Sequence, residues 1–346
     1  MRLLGIETSC DETAAAVVES NGALVIRSSV VASQTAAHQA FGGVVPEIAS
    51  RRHLEWLPRV VEQALTDADA RWDNLDALAV TVGPGLIGAL VVGVAWAKAA
   101  AWQRGLPVTP INHLEGHIYS PWAEGPVAFP FLCLLVSGGH SHLVEVRAPG
   151  EYALVGRTRD DAAGEAFDKG ARLLDLEYPG GPAIDHIAQG GNPRAIAFPR
   201  AWLPESWDFS FSGVKTALAR YLRETPPAAR PPLADLAASY QEAIAEILAQ
   251  KSVAAAQAQR LERLVVAGGV AANSRLRALL AERAAAAGIA VRLAPLELCT
   301  DNAAMIAVAA AVLADTGRRA GPDLDAAAVL TLGSAAAATS PPTPLR

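Results

Sequence analysis

Cysteine, charge and long apolar runs are all scarce in this chain of 346 residues. The three cysteines, Cys10, Cys133 and Cys299, are odd in number and far apart, which argues against a disulfide framework and for a reducing, cytoplasmic setting. No apolar stretch reaches the roughly 18–20 residues of a membrane span. Gly83–Ala101 comes closest, but Gly83-Pro84-Gly85 opens it and Lys98 interrupts it. The N-terminus, Met1-Arg2-Leu3-Leu4-Gly5-Ile6-Glu7, turns acidic too early for a secretory signal. Only 18% of residues are charged while 51% are apolar, a balance that excludes a disordered chain. The net charge of −6 carries no overall nucleic-acid signature. One zone is locally basic, with Arg194, Arg200, Lys215, Arg220, Arg223 and Arg230 against Glu205, Asp208 and Glu224. Composition reads it as solvated loop charge.

What is present is a repeat. The length predicts two domains, and the chain writes one strand–turn–strand program twice. The first copy opens Leu3-Leu4-Gly5-Ile6-Glu7-Thr8-Ser9-Cys10-Asp11-Glu12-Thr13, and the second Leu134-Leu135-Val136-Ser137-Gly138-Gly139-His140-Ser141-His142. Small polar turns of this kind aim backbone N–H groups at an anion, and two facing turns would grip one nucleotide across a cleft. The first copy reads strands 2–8, 13–19 and 23–31, helix 46–70, strand 75–82, helix 86–103 and strand 106–111. Ile48, Leu54, Leu57, Val60, Val61 and Leu65 are expected on one face of helix 46–70. The second copy reads strands 130–136, 142–147 and 152–157, helix 162–175, helix 233–258, strand 263–267, helix 271–287 and strand 289–293. The shared order, β-β-β-α-β-α-β, predicts an α/β fold in which antiparallel starts continue into parallel crossovers. A final helix, 302–316, is expected to pack back on the first lobe, and the tail 336–346 to fray. Residues 178–232, rich in Pro and Gly, read as a long irregular insert with a binding role. The lobes are expected as 1–112 with 302–335, and 113–301.

Several short segments carry chemistry. In Asn112-His113-Leu114-Glu115-Gly116-His117, Asn112 can cap a helix and Glu115 can complete a capping box. Helical spacing then stacks both imidazoles on one face, suited to one metal ion, with Asp301 as a third candidate ligand. Packing histidines and a capping Asp301 explain the same residues equally well. A zinc peptidase is disfavoured, because its His-Glu-x-x-His pattern has no match at Leu114, and Glu115 is turned about 200° from His113. Gly83-Pro84-Gly85-Leu86-Ile87-Gly88 imitates a dinucleotide fingerprint but lacks the acidic residue ending the next strand. Those glycines are expected to admit a neighbouring backbone, at the lobe contact. Gly268-Gly269 with Asn273 would accept a purine, or simply form a tight turn. Asp168 and Asp185 could bind hydroxyls or cap. Phe209-Ser210-Phe211-Ser212-Gly213-Val214-Lys215 offers aromatic stacking to a base, or ordinary core packing.

Together, Gly5–Thr13, Val82–Gly88, His113–His117, Val136–His140, Ala166–Leu174, Gly180–Asp185, Phe209–Thr216, Ala267–Arg275 and Thr300–Ala304 resemble the universal tRNA threonylcarbamoyladenosine transferase family, in order over most of residues 1–316. The resemblance implies two ribonuclease-H-like lobes of the actin/hexokinase/Hsp70 superfamily with a central nucleotide cleft. It implies transfer of a threonylcarbamoyl group from threonylcarbamoyl-AMP to the exocyclic amine of the adenosine 3′ of the anticodon, in tRNAs reading ANN codons. His113, His117 and Asp301 match the family's metal ligands, meeting around one divalent ion between the lobes, with Fe(2+) favoured and Zn(2+) as the alternative. Val136, Ser137, Gly138, Gly139, His140, Asp168, Gly181, Asp185 and Asn273 match its nucleotide and substrate contacts, and Asp11 and Glu12 its acidic turn. Leu135 stands where archaeal and eukaryotic relatives carry a metal-binding tyrosine, and His140 where they carry asparagine. Both features are similar to the bacterial branch. That branch implies a paralogous subunit of the same fold (TsaB-like) and a small ATPase (TsaE-like) as partners. A small-molecule kinase and a non-catalytic nucleotide-binding scaffold are the rival readings of this fold.

Overall fold

The structure, a computed structural model, describes residues 1–41, 43–321 and 323–333. It divides into two compact units: Met1–Val127 with Pro149–Glu151 and the chain from Thr300, and Ala128–Ala148 with Tyr152–Cys299. The tail expected at 336–346 lies outside the described residues.

In the first unit, β1 (Arg2–Glu7), β2 (Glu12–Ser20) and β3 (Leu24–Ser33) form an antiparallel meander. Helix α1 (Thr35–Gln39) and α2 (Pro46–Asp67) follow, then β4 (Ala77–Gly83), α3 (Ile87–Arg104), β5 (Val108–Asn112) and α4 (His113–Tyr119). The sheet order is β3-β2-β1-β4-β5, with β4 parallel to both β1 and β5. Burial explains the strand sequences. Ala14–Val18 of interior strand β2 are buried on both faces and read as one apolar run, whereas edge strand β3 alternates. In α2, Pro46 pre-sets the first turn. The expected apolar face is corrected at one position. Leu54 is exposed, and His53, one residue back, takes the buried place among Ala49, Leu57, Val60, Val61 and Ala64.

The second unit runs β6 (Phe131–Val136), β7 (Ser141–Ala148), β8 (Glu151–Arg157), α5 (Ala163–Leu173), α6 (Gly180–Ala188), α7 (Ser212–Glu224), α8 (Leu233–Ala258), β9 (Arg263–Ala267), α9 (Ser274–Ala286) and β10 (Ala290–Leu293). Its sheet order, β10-β9-β6-β7-β8, repeats the first, with β6 antiparallel to β7 and parallel to β9. The insert is not structureless: α6 and α7 lie within it. Asp160 anchors the start of α7, accepting from the Phe211 and Ser212 amides and from the hydroxyls of Ser210 and Ser212. Phe209 and Phe211 are buried and stack on each other, so core packing, not base stacking, is their role.

The last helix, α10 (Ala303–Val312), returns to the first unit, as expected. Ala303–Ala310 are buried on every side, as an evenly apolar helix requires. It packs on β1, β2 and α4. Gly5 makes the approach feasible, since a Cβ there would collide with the Ala303 carbonyl. At Gly116 a Cβ would lie 2.7 Å from Ile306 Cδ1. This packing moves the expected boundary from 112 to Val127, because α4 is bound to α10.

Candidate metal centre and substrate-binding turns

Helix α4 starts where β5 ends. Asn112 Oδ1 accepts from the Leu114 amide at 2.9 Å, and Glu115 Oε2 accepts from the Asn112 amide at 3.3 Å, completing the expected capping box. Glu115 has a second task that the sequence hides. It is fully buried and pairs with Arg318 Nη1 at 2.6 Å, tying the chain beyond α10 to the back of α4.

His113 and His117, four residues apart, project together with ring centroids 4.8 Å apart. Asp301, two residues before α10, faces both: its Oδ1 lies 3.5 Å from His113 Nε2 and 3.2 Å from His117 Nε2. The three ligand atoms lie within 4.8 Å of one another. All three belong to the first unit, not to the second lobe in which the expected boundaries at 113–301 put them, because the α4–α10 packing assembles them. Two imidazole nitrogens and one carboxylate oxygen suit a borderline divalent ion.

Glu7, at the end of β1, was not anticipated. It is fully buried, and its Oε2 lies 3.1 Å from His113 Nδ1 and accepts from Thr81 Oγ1 at 2.6 Å. Burial acts to raise the Glu7 carboxyl, but the charge and hydrogen bond of His113 outweigh it and hold it below the ordinary range. Burial likewise acts to lower His113, and the carboxylates of Asp301 and Glu7 outweigh it, raising the imidazole to about 9. A carboxylate on one imidazole nitrogen orients the ring and leaves the other nitrogen for a metal. The residues present therefore fit the ion expected of them. The only sequence signal for Glu7 is a carboxylate closing an apolar strand, where burial demands a partner.

The acidic turn Asp11-Glu12 follows directly. Ser9 donates its amide to Glu7 Oε1 at 2.5 Å, and its carbonyl accepts from the Leu86 amide at 2.8 Å. The Asp11 carbonyl accepts from the Gln34 amide at 3.0 Å, and Glu12 Oε1 accepts from Ser33 Oγ at 3.0 Å. Burial, reinforced by the negative charges of Asp301 and Asp11, pushes the Glu12 carboxyl up to about 9. Of the glycines expected at the lobe contact, Gly85 serves this turn, whereas Gly88 faces Ser50 of α2 and Gly83 the Ala327 carbonyl, all within the first unit. A Cβ at Gly85 would lie 2.5 Å from the Ser9 carbonyl.

In the second unit, Val136 ends β6 and Ser137–His140 form the turn into β7, closed by the Ser137 amide on the His140 carbonyl at 2.8 Å. Gly138, Gly139 and Gly181 share a property with Gly43, Gly213 and Gly269. None has positive φ, and a Cβ on any of them would meet nothing within 4 Å. Backbone conformation and packing thus leave these glycines unexplained, whereas a ligand lying flat on the main chain would explain them. Neighbouring side chains shape the surface. Asp168 accepts from the Gly180 amide at 2.7 Å and holds the start of α6, and burial raises its carboxyl against that pull. Asp185 accepts from Ser274 Oγ at 2.7 Å. Asn273 caps α9 through the Leu276 amide at 2.9 Å and donates to Gln241 Oε1 at 2.8 Å. Leu135 is fully buried within β6.

The basic zone is partly consumed within the fold. Arg200 pairs with Glu246, Lys215 with Asp161, and Arg230 donates to the Leu222 and Thr225 carbonyls. Arg194, Arg220 and Arg223 stay exposed.

Residues 25–308 match the family described as tRNA N6-adenosine threonylcarbamoyltransferase. A relative of that name from Anaeromyxobacter dehalogenans (strain 2CP-C) is 56% identical over 328 residues, covering 94% of this chain and 98% of its own. Another, from Geobacter sp. (strain M21), is 53% identical over 333 residues, covering 96% and 97%. Among solved structures, T. kodakarensis HypF aligns with a TM-score of 0.63 at 14% identity, over 92% of this chain and 48% of that one. Component A of the Acidaminococcus fermentans (R)-2-hydroxyglutaryl-CoA dehydratase aligns at 0.50 and 15%, over 89% and 96%. At those identities the likeness concerns the duplicated fold alone. The match over most of its length and the identity of its relatives establish that the chain belongs to the tRNA N6-adenosine threonylcarbamoyltransferase family.

Proposed function

We propose that this protein transfers the threonylcarbamoyl group of threonylcarbamoyl-AMP to the exocyclic amine of the adenosine 3′ of the anticodon, in tRNAs reading ANN codons. The observation that carries the reading is the convergence of His113, His117 and Asp301 within 4.8 Å, one strand end from the Asp11-Glu12 turn, in a chain 56% identical to a named relative.

His113, His117 and Asp301 hold the divalent ion, Fe(2+) in preference to Zn(2+), and Glu7 fixes the His113 ring. Bound there, such an ion supplies Lewis-acid polarisation of a phosphate or carbamoyl oxygen. The amine nitrogen attacks the carbamoyl carbon, the bond from that carbon to the phosphate oxygen breaks, and AMP leaves. Asp11 accepts the proton the amine releases, while Glu12, its carboxyl pushed up to about 9, stands beside it as a hydrogen-bonding group. Backbone N–H groups of Gly138 and Gly139 donate to developing oxyanion charge, in a turn that the Ser137 amide closes on the His140 carbonyl, and the open faces of Gly138, Gly139 and Gly181 seat the nucleotide beside Val136, His140, Asp168, Asp185 and Asn273.

The net charge of −6 leaves little to neutralise tRNA phosphates. That supports an assembly in which a paralogous subunit and a small ATPase share tRNA binding. A cytoplasmic setting accords with three free cysteines and with the absence, among the described residues, of any helix long and apolar enough to cross a membrane.

The test supplies threonine, bicarbonate, ATP, tRNA and the companion adenylate-forming enzyme, and measures modified adenosine by mass spectrometry. The intact protein with its partners should modify the tRNA, and His113→Ala should lose both metal and transfer. A metal-free His113→Ala protein with full activity would refute the ligand assignment, and an intact assembly forming no modified adenosine would refute the function.

A further inference from the structure

His53 is a buried imidazole on α2 with no place in the chemistry above. Its Nε2 lies 2.9 Å from the Cys10 carbonyl, and its Nδ1 lies 2.8 Å from Thr13 Oγ1. A carbonyl oxygen can only accept, so Nε2 carries the hydrogen, and in the neutral ring Nδ1 accepts from the Thr13 hydroxyl. Burial lowers this imidazole, in keeping with the neutral form. Cys10 and Thr13 are the residues immediately before and after Asp11-Glu12. One ring therefore grips both ends of the acidic turn, while Gln34 and Ser33 hold its middle.

We propose that His53 is a positioning residue for the transfer reaction, acting through the Cys10 carbonyl and the Thr13 hydroxyl to hold the Asp11 and Glu12 side chains in place. The inference rests on the reading of Asp11-Glu12 as the turn that serves the reacting groups. His53 belongs to the main helix of the first sheet and touches neither the three candidate metal ligands nor Glu7 in any of its hydrogen bonds. Loosening the clamp should misplace both acidic side chains without emptying the metal centre. Misplacement on the ångström scale is enough to slow a reaction about a hundredfold.

The experiment compares His53→Ala, His53→Asn, His53→Gln and Thr13→Val in the reconstituted assembly, alongside an Asp11→Ala/Glu12→Ala double variant. Activity is normalised to folded, metal-loaded protein by thermal melt and metal analysis. His53→Ala and His53→Asn should lower kcat roughly 10–100-fold with KM for tRNA and metal content unchanged. His53→Gln, whose amide nitrogen can reach the Cys10 carbonyl, should recover most of that loss, and Thr13→Val should lie between. Normal kcat in His53→Ala, or a loss that vanishes on normalisation, overturns the proposal. If the double variant alone is inactive, only the His53 inference falls; if the double variant keeps its activity, the reading of the turn falls with it.

Discussion

His113 Nδ1 and Glu7 Oε2 meet at 3.1 Å, so an imidazole at the start of α4 is oriented by a carboxylate at the end of β1. Glu7→Gln keeps the shape and removes the charge. Metal affinity should fall about 10–100-fold, the usual effect of losing such an outer carboxylate. Metal titration of the purified protein checks this, and an unchanged dissociation constant would remove Glu7 from the centre.

The Glu115–Arg318 pair is a separate structural device, with side-chain exposures of 0% and 12%. Arg318→Met strands a buried carboxylate and should cost about 3–5 kcal/mol in urea denaturation. Adding Glu115→Gln to that variant should restore part of the loss. A single variant as stable as the parent would show that the pair carries no weight.

Glycines separate into two groups that alanine can distinguish. Gly5→Ala forces a methyl group against the Ala303 carbonyl and should destabilise by about 1–3 kcal/mol. Gly138→Ala points into open space and should change stability by no more than about 0.5 kcal/mol. The same Gly138→Ala change should weaken AMP binding by calorimetry. Full AMP affinity in a stable Gly138→Ala protein would contradict the seat assigned to the nucleotide.

Asp160 supplies a pH dependence. Burial acts to raise its carboxyl, but hydrogen bonds from Ser210, Phe211 and Ser212 outweigh this and lower it. A depressed carboxyl binds its proton less readily folded than unfolded, so its contribution is complete above the ordinary value of 3.8 and fades as pH falls through the lower folded value. Asp160→Asn should flatten that acid-side slope while weakening the anchor of α7 at neutral pH. Melting curves from neutral to acid pH that match the parent's would exclude the effect.

Much of the fold is legible because its signals are local. Strand β2 is a continuous apolar run and β3 alternates, which distinguishes a covered strand from an edge. Pro46 marks the start of α2, and Asn112 with Glu115 marks α4. The His113 and His117 spacing follows from the helical repeat itself. Other features leave weak signals. His53 and Leu54 lie about 100° apart on one helix, and apolar periodicity favours the leucine over a histidine whose burial depends on two distant hydrogen-bond partners. The two helices of the insert were hidden by its prolines and glycines, because carboxylates outside it supply their anchors, Asp168 for α6 and Asp160 for α7.

The sequence by itself determined the duplicated strand order, the caps of α4 and the family, since propensity, periodicity and motif identity are written within short windows. Tertiary structure alone decided that α4 packs with α10, and so that His113 and His117 join Asp301 in the first unit. It also decided that Glu7 stands behind His113 and that Arg318 neutralises Glu115. The physical reason is the same in each case. A buried charge must find a partner, and that partner is chosen by which apolar surfaces pack together, not by closeness along the chain.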